Sequence, residues 1–160
     1  MHVRSGPYCV KVFRQRWYVV ARSLSDEQLR VYALDRIQEL RTTENAFALP
    51  EDFDPQAYFA DSVGVVVDEK CAVERVKIRV QGIQRQYIRT LPLHASQQEV
   101  ETNEDSSVFE FHLRPTLDFQ QELLTHAVNA EGDIEVLVPQ WLREHMKSIG
   151  EDLWHNHQNV

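Results

Sequence analysis

The chain has 160 residues, 42% hydrophobic and 26% charged, a composition suited to one soluble domain or two small ones. A formal net charge of −8 argues against a protein that grips duplex nucleic acid over a wide surface, because such binding needs many phosphate contacts. No run approaches the roughly eighteen apolar residues of a membrane span, and residues 1–6 lack a signal-peptide stretch, so a cytoplasmic protein is expected.

The average charge hides a partition. Arg4, Lys11, Arg14, Arg16 and Arg22 fall within residues 1–22 with no acid among them, whereas residues 93–160 hold three basic and thirteen acidic side chains. Anionic ligands are therefore expected at the N-terminal part and repelled from the C-terminal part. Cys9 and Cys71 stand alone, without a Cys-x-x-Cys or Cys/His framework, and read as reduced thiols.

Residues 8–13 and 17–22 are rich in β-branched and aromatic side chains, with Arg14-Gln15-Arg16 between them. They read as a hairpin, although its turn has none of the Gly or Asn that the tightest turns prefer. Alternation places Trp17, Val19 and Ala21 on one face and Tyr18, Val20 and Arg22 on the other, and its companions make Trp17 read as core. A third strand is expected over residues 29–37, with Arg30, Tyr32, Leu34 and Arg36 on one side. Residues 42–55 read as loop, and Pro55 can open a short helix through residue 62. Phe47, Phe53, Tyr58 and Phe59 are expected to pin this segment onto the sheet. A boundary near residue 70 divides the chain into domains of residues 1–70 and 71–160.

In the second half, residues 73–80 alternate strictly, with Val76, Ile78 and Val80 opposite Arg75, Lys77 and Arg79. Residues 82–91 read as a helix with Ile83, Tyr87, Ile88 and Leu91 inward. Two strands, 97–102 and 107–113, are joined by Asn103-Glu104-Asp105 and bury Phe109, Phe111 and Leu113. A helix over 116–129 offers Leu117, Leu123, Leu124, Ala127 and Val128, and a strand follows over 133–138. Pro139 opens a last helix carrying Trp141, Leu142, Met146, Ile149 and Leu153. The order βαββαβ with a terminal helix points to a ferredoxin-like split βαβ sheet.

Arg16-Trp17-Tyr18-Val19 and Leu34-Asp35-Arg36-Ile37, preceded by Pro7-Tyr8-Cys9 and Lys11-Val12-Phe13, resemble the WYL domain. That domain is a small Sm-like barrel that senses effectors in many bacterial transcription regulators; the third letter of its name is Val19 here. Arg89-Thr90-Leu91-Pro92-Leu93-His94 with Ser96-Gln97-Gln98, the helix around Leu123, and Val136-Leu137-Val138-Pro139-Gln140-Trp141-Leu142-Arg143 are similar to its C-terminal WCX extension. The resemblance runs over about residues 3–147. It implies an α+β chain, a partial Sm-like or SH3-like β-barrel followed by a ferredoxin-like domain. Members usually start with a helix-turn-helix and then the first barrel strands, whereas this chain enters near the Pro7-Tyr8 strand. The barrel is expected to be N-terminally incomplete, the chain being a fragment of a longer regulator, the favoured reading, or a truncated form that closes its sheet with a partner; duplex DNA would be met only through that helix-turn-helix.

The effector class implied by the resemblance is nucleic-acid-like, single-stranded DNA or a nucleotide. Bases stack on aromatic faces for about 1 to 3 kcal/mol each, and guanidinium groups pair with phosphate oxygens in a bidentate way. Arg14, Arg16, Tyr18, Arg22, Arg30, Tyr32 and Arg36 are the candidate ligand-binding residues, with Tyr18, Arg30, Tyr32 and Arg36 at alternating positions of neighbouring strands. A plainer role stands beside each: Asp35 can hold Arg36 within the sheet, and Arg75, Lys77 and Arg79 suit a solvated face. Two functions remain. One is the effector-sensing, homodimerising portion of a WYL-type regulator; the other is a ligand-free interaction module whose sheet edges and last helix serve oligomerisation. No Gly-rich phosphate loop, His-Glu-x-x-His or Gly-x-Ser-x-Gly elbow occurs, so neither enzyme nor cofactor is expected. His155-Asn156-His157 lacks acidic or Cys partners at ligand spacing, and no metal is expected there.

Overall fold

The computed structural model describes residues 4–129 and 134–158. The chain divides into two compact units, Met1–Ala60 with Gly64–Val67, and Asp61–Val63 with Asp68–Val160. The division is not one cut, because Arg114 draws the short segment before Gly64 into the second unit: its backbone N–H donates to Asp61 O at 2.7 Å, and Ser62 forms a parallel bridge with it.

The first unit is a three-stranded antiparallel sheet of β1 (Ser5–Phe13), β2 (Arg16–Ser23) and β3 (Leu29–Ala33), in the order β1-β2-β3. β1 and β2 form the expected hairpin through two residues, Arg14 with φ 46° and Gln15 with φ 63°. Both are left-handed, the geometry for which Asn-Gly is preferred; for residues with a Cβ it costs on the order of 1 to 2 kcal/mol each. The register of β1 slips between Pro7 and Cys9, a bulge that re-aims Tyr8. Its ring lies 5.6 Å from Phe47 and meets Phe53 edge-on at 4.7 Å. The row continues through Tyr58 to Phe59, over which Lys11 Nζ sits at 3.6 Å. The aromatic segment is thus fastened to β1, as its composition suggests. Gly6 permits the close approach, since a Cβ there would lie 2.1 Å from Phe47 Cδ2. α1 (Pro55–Phe59) starts where the Asp54 carboxylate accepts a hydrogen bond from Gln56 N at 2.8 Å, and it ends sooner than residue 62.

One correction in this unit bears on function. β3 stops at Ala33, and Leu34–Arg36 form a 3-10 turn rather than the last residues of a strand. Asp35 explains the departure in part, because its carboxylate turns back toward Arg16 at 3.8 Å.

The second unit follows the expected order: β4 (Glu74–Gln81), α2 (Gln84–Thr90), β5 (Gln98–Thr102), β6 (Ser106–Leu113), α3 (Leu117–Asn129), β7 (Ile134–Val138) and α4 (Gln140–Asn156). Asp133, expected to begin the seventh strand, lies outside the described residues. The four strands form one antiparallel sheet in the order β5-β6-β4-β7. Register pairs Val76 with Phe111 and Ile78 with both Phe109 and Val136, so the apolar alternation of three strands meets on one face. Ile88, Phe119, Leu123 and Leu142 from the helices complete this core, and each fully buried side chain contributes about 1.5 to 3 kcal/mol. Arg75, Lys77 and Arg79 line the other face, where Glu110 and Glu135 answer them at 2.8, 3.4 and 2.5 Å.

Helix orientation differs from the sequence reading. In α2 the inward residues are Gln84 and Ile88, while Ile83, Tyr87 and Leu91 are exposed. The helix begins only after Gly82, whose φ of 57° turns the chain out of β4, and Arg89 holds its rotation by donating to Glu99 at 2.8 Å. In α3, Phe119 and Leu123 face inward while Leu117 and Val128 are exposed.

Candidate functional site

Antiparallel strands put directly opposed residues on the same face, so register sorts the candidate side chains. Tyr18 opposes Ala33 and Arg22 opposes Leu29, whereas Val19 opposes Tyr32 and Ala21 opposes Arg30. Tyr18 and Arg22 therefore share one face with Val20, and Arg30 and Tyr32 share the other with Trp17, Val19 and Ala21. The single surface expected to hold Tyr18, Arg30, Tyr32 and Arg36 is divided by the sheet. Arg36 leaves it altogether, in the 3-10 turn.

The cations also separate along the strands. Arg14 and Arg16 stand at the hairpin end, and the 3-10 turn carrying Arg36 reaches that end through the Arg16–Asp35 pair. Arg22 and Arg30 stand at the far end of β2, six residues or about 20 Å away. Their partners come from the loop that follows β2. Glu27 pairs with Arg22 at 3.0 Å, and Asp26 takes a short hydrogen bond from Arg30. Ser23 first and Arg30 second hold the Asp26 carboxyl below its ordinary value, so this pair is charged at neutral pH. Residues 1–42 carry eight Lys and Arg side chains against four acids, which leaves the region basic after such pairing.

Trp17 is not core. It is 59% exposed, and Val10 and Val12, on the same face of β1, are 55% and 52% exposed. Val12 opposes Trp17 directly, and Tyr32 is its diagonal neighbour across Val19. The Tyr32 hydroxyl is buried and has no hydrogen-bond partner among the described residues. Residues 47–59 serve the opposite face, where Lys11, the register partner of Tyr18, reaches Phe59. In the sequence this apolar run reads as core, and exposure is set by which face the rest of the chain covers.

Other chemistry is sparse. Burial pushes the Cys9 and Cys71 thiols up, so neither is an activated thiolate. Among the described residues no group of three or more His, Cys, Asp or Glu side chains could hold a metal ion, and no helix is long and apolar enough to cross a membrane.

The comparisons with known proteins cover both units. Residues 3–42 match the WYL domain and residues 72–154 match the WCX domain. No curated protein matches the chain. Among solved structures, proteasome accessory factor B/C (PafBC) of Arthrobacter aurescens is similar at 17% identity and a TM-score of 0.34, over 89% of this chain and 21% of that one. The chain thus spans about a fifth of that relative's length. With half of its residues matched by the WCX domain and its N-terminal strands by the WYL domain, the chain belongs to the WYL-domain family of proteins that carry a WCX extension.

Proposed function

We propose that this chain is the effector-sensing and dimerising portion of a WYL-family transcription regulator, a Sm-like sheet joined to a ferredoxin-like domain, acting in the cytoplasm without catalysis. Its ligand in this reading is single-stranded nucleic acid or a nucleotide, and the DNA-reading element is a helix-turn-helix on the same protein. The carrying observation is Trp17, a large exposed aromatic ring on the open face of Val10, Val12 and Tyr32, next to the hairpin end where the chain is most basic. An exposed indole offers a stacking face for a base, and neighbouring guanidinium groups offer phosphate contacts. The strained Arg14-Gln15 turn agrees with this, since backbone strain persists where a side chain is needed at that point. The binding residues narrow to Trp17 with Arg14 of the turn and Arg36 of the 3-10 turn, and Tyr32 on the Trp17 face supplies a hydroxyl that a ligand can satisfy, while Arg16 stands on the other face near Asp35. Tyr18, Arg22 and Arg30 are assigned to holding the sheet and its loop. Regulation requires that the ligand favour one arrangement of the protein over another, because equal affinity for both shifts nothing.

Anisotropy of labelled oligonucleotides at several salt concentrations tests this reading. Arg14→Ala, Arg36→Ala and Trp17→Ala should each weaken binding by about tenfold, the value of one stacked base or charged contact, while Arg30→Ala should not. Equal binding by all four variants removes the hairpin end as the site.

A ligand-free interaction module is the second reading. The open Val10, Val12 and Trp17 face favours it, because contiguous exposed apolar patches mark protein contacts as well as ligand sites. A chain that ignores oligonucleotides and nucleotides at every salt concentration, yet is retained by an acidic partner surface, fits this alternative.

A further inference from the structure

The connection between the two units is not a single passage. Asp61–Val63 belong to the second unit, Gly64–Val67 to the first, and the chain enters the second again at Asp68. Arg114, where β6 gives way to α3, holds both ends of this excursion. Its backbone N–H donates to Asp61 O at 2.7 Å, Ser62 bridges it, and its guanidinium donates to Cys71 O. Residues 61–71 are thus a strap closed on one residue. Val63 is buried in the core of the second unit, and Val65, past Gly64 with its φ of 77°, is buried within the first.

The fastening leaves two hydroxyls unmatched. Ser62 Oγ and Thr116 Oγ1 are buried and have no hydrogen-bond partner among the described residues. A buried hydroxyl in that position costs its full desolvation, whereas a hydrogen bond exchanged for one with water costs little net. Thr116 also stands directly before α3, where a threonine hydroxyl ordinarily accepts from an N–H of the first turn. Its own N–H is turned back onto Arg114 O at 2.7 Å, and Gln120 Nε2 donates to Pro115 O at 2.8 Å, so a tight turn fixes this residue while its hydroxyl caps nothing.

We propose that the strap has two settings: fastened on Arg114, as observed, and released, with Ser62 in water and the Thr116 hydroxyl capping α3. The Arg114–Cys71 bond lost on release is only part-buried, so water can replace it, while two unmatched hydroxyls gain partners. The settings therefore lie close in free energy, and a small displacement of residues 64–67 selects between them. The first turn of α3 in the second unit is in this way coupled to the order of residues 64–67 in the first. No ligand is needed for this coupling.

Amide hydrogen exchange resolved by NMR on the full chain tests it. Arg114→Met should lower protection across residues 62–71 by roughly tenfold and raise it at Asp118 and Phe119, whose N–H groups a Thr116 cap would take. A purely structural Arg114 would lower both. Arg114→Lys, which keeps the charge, should show the same signs more weakly, and it decides the matter if the methionine variant does not fold. Adding Thr116→Val to Arg114→Met should abolish the rise. Val65→Ala, at the other end of the strap, should produce the same rise by itself and nothing further on top of Arg114→Met, because both act on one setting. Ser62→Ala should leave the melting temperature unchanged or raise it. A fall of several degrees in Ser62→Ala would mean that its hydroxyl is already bonded and overturns the two settings. Protection lost together at the strap and at α3 does the same, as do additive effects of Val65→Ala and Arg114→Met.

Discussion

Arg89 on α2 and Glu99 on β5 are joined by two hydrogen bonds, one of them 2.8 Å long, and Arg89 reaches onward to Ser107 of β6 at 3.0 Å. The pair ties a seven-residue helix to two strands of its sheet, while Ile88 packs into the core on the apolar side.

The hydrogen bonds from Arg89 hold the Glu99 carboxyl down at about 2, and those from Arg75 and Lys77 hold Glu110 at about 2. Both carboxyls are easier to ionise in the folded chain than in the unfolded one, so the unfolded chain takes up protons first as pH falls. Their stabilisation is whole above the unfolded carboxylate range near about 4.3 and is lost progressively toward pH 2. Urea melts at stepped pH should show a midpoint that declines through this window, and Arg89→Met should flatten the decline. NMR titration of Glu99 should place its midpoint near 2 in the native chain and at the ordinary value in Arg89→Met.

The hairpin turn gives a prediction of opposite sign. Replacing Arg14 with Asn and Gln15 with Gly relieves two left-handed residues and should raise stability by about 1 to 2 kcal/mol, read as a higher melting temperature. The same double variant should bind oligonucleotide more weakly, because Arg14 is gone. Gain of both stability and affinity would separate the strain from binding.

Core and surface aromatics should respond differently. Ile78→Ala, which opens a void between Phe109 and Val136, should cost about 2 to 5 kcal/mol by chemical denaturation. Trp17→Ala should cost no more than about 1 kcal/mol, because over half of the ring already faces solvent. A large loss at Trp17 would mean that its face is packed in the folded protein.

The Arg30–Asp26 pair is assigned to the β2–β3 loop. Arg30→Ala and Asp26→Ala should therefore change proteolytic cutting within residues 24–28 alike, and neither should alter the salt dependence of ligand binding. An altered salt slope in Arg30→Ala alone would return that residue to the site.

Elements and their order are readable in these residues because they depend on short-range periodicity. The strict alternation of Val76, Ile78 and Val80 has one physical reading, and the structure buries all three. The βαββαβα order follows from such local patterns, and so does the aromatic strap, whose spacing leaves it little but the sheet to cover. Short helices were harder: hydrophobicity placed Ile83, Tyr87, Ile88 and Leu91 inward, whereas Ile88 alone of these is buried and Gln84 joins it. A long-range partner fastens the observed rotation, since Arg89 of α2 donates to Glu99 of β5.

The candidate site divides in the same way. Residue chemistry alone marks residues 1–22 as basic and aromatic, because composition needs no partner. Whether Tyr18 and Arg30 stand together depends on cross-strand register, and a one-residue difference in register exchanges the faces of a strand. The observed register, Ala21 opposite Arg30, sends the two to opposite sides, and the early end of β3 removes Arg36 from the strand. Exposure of Trp17 is likewise a matter of which face the rest of the chain covers, and residues 47–59 lie with Lys11 on the other. Local pattern sets the inventory of strands, helices and charges; long-range pairing sets which of them share a surface, because it depends on residues far apart in the chain.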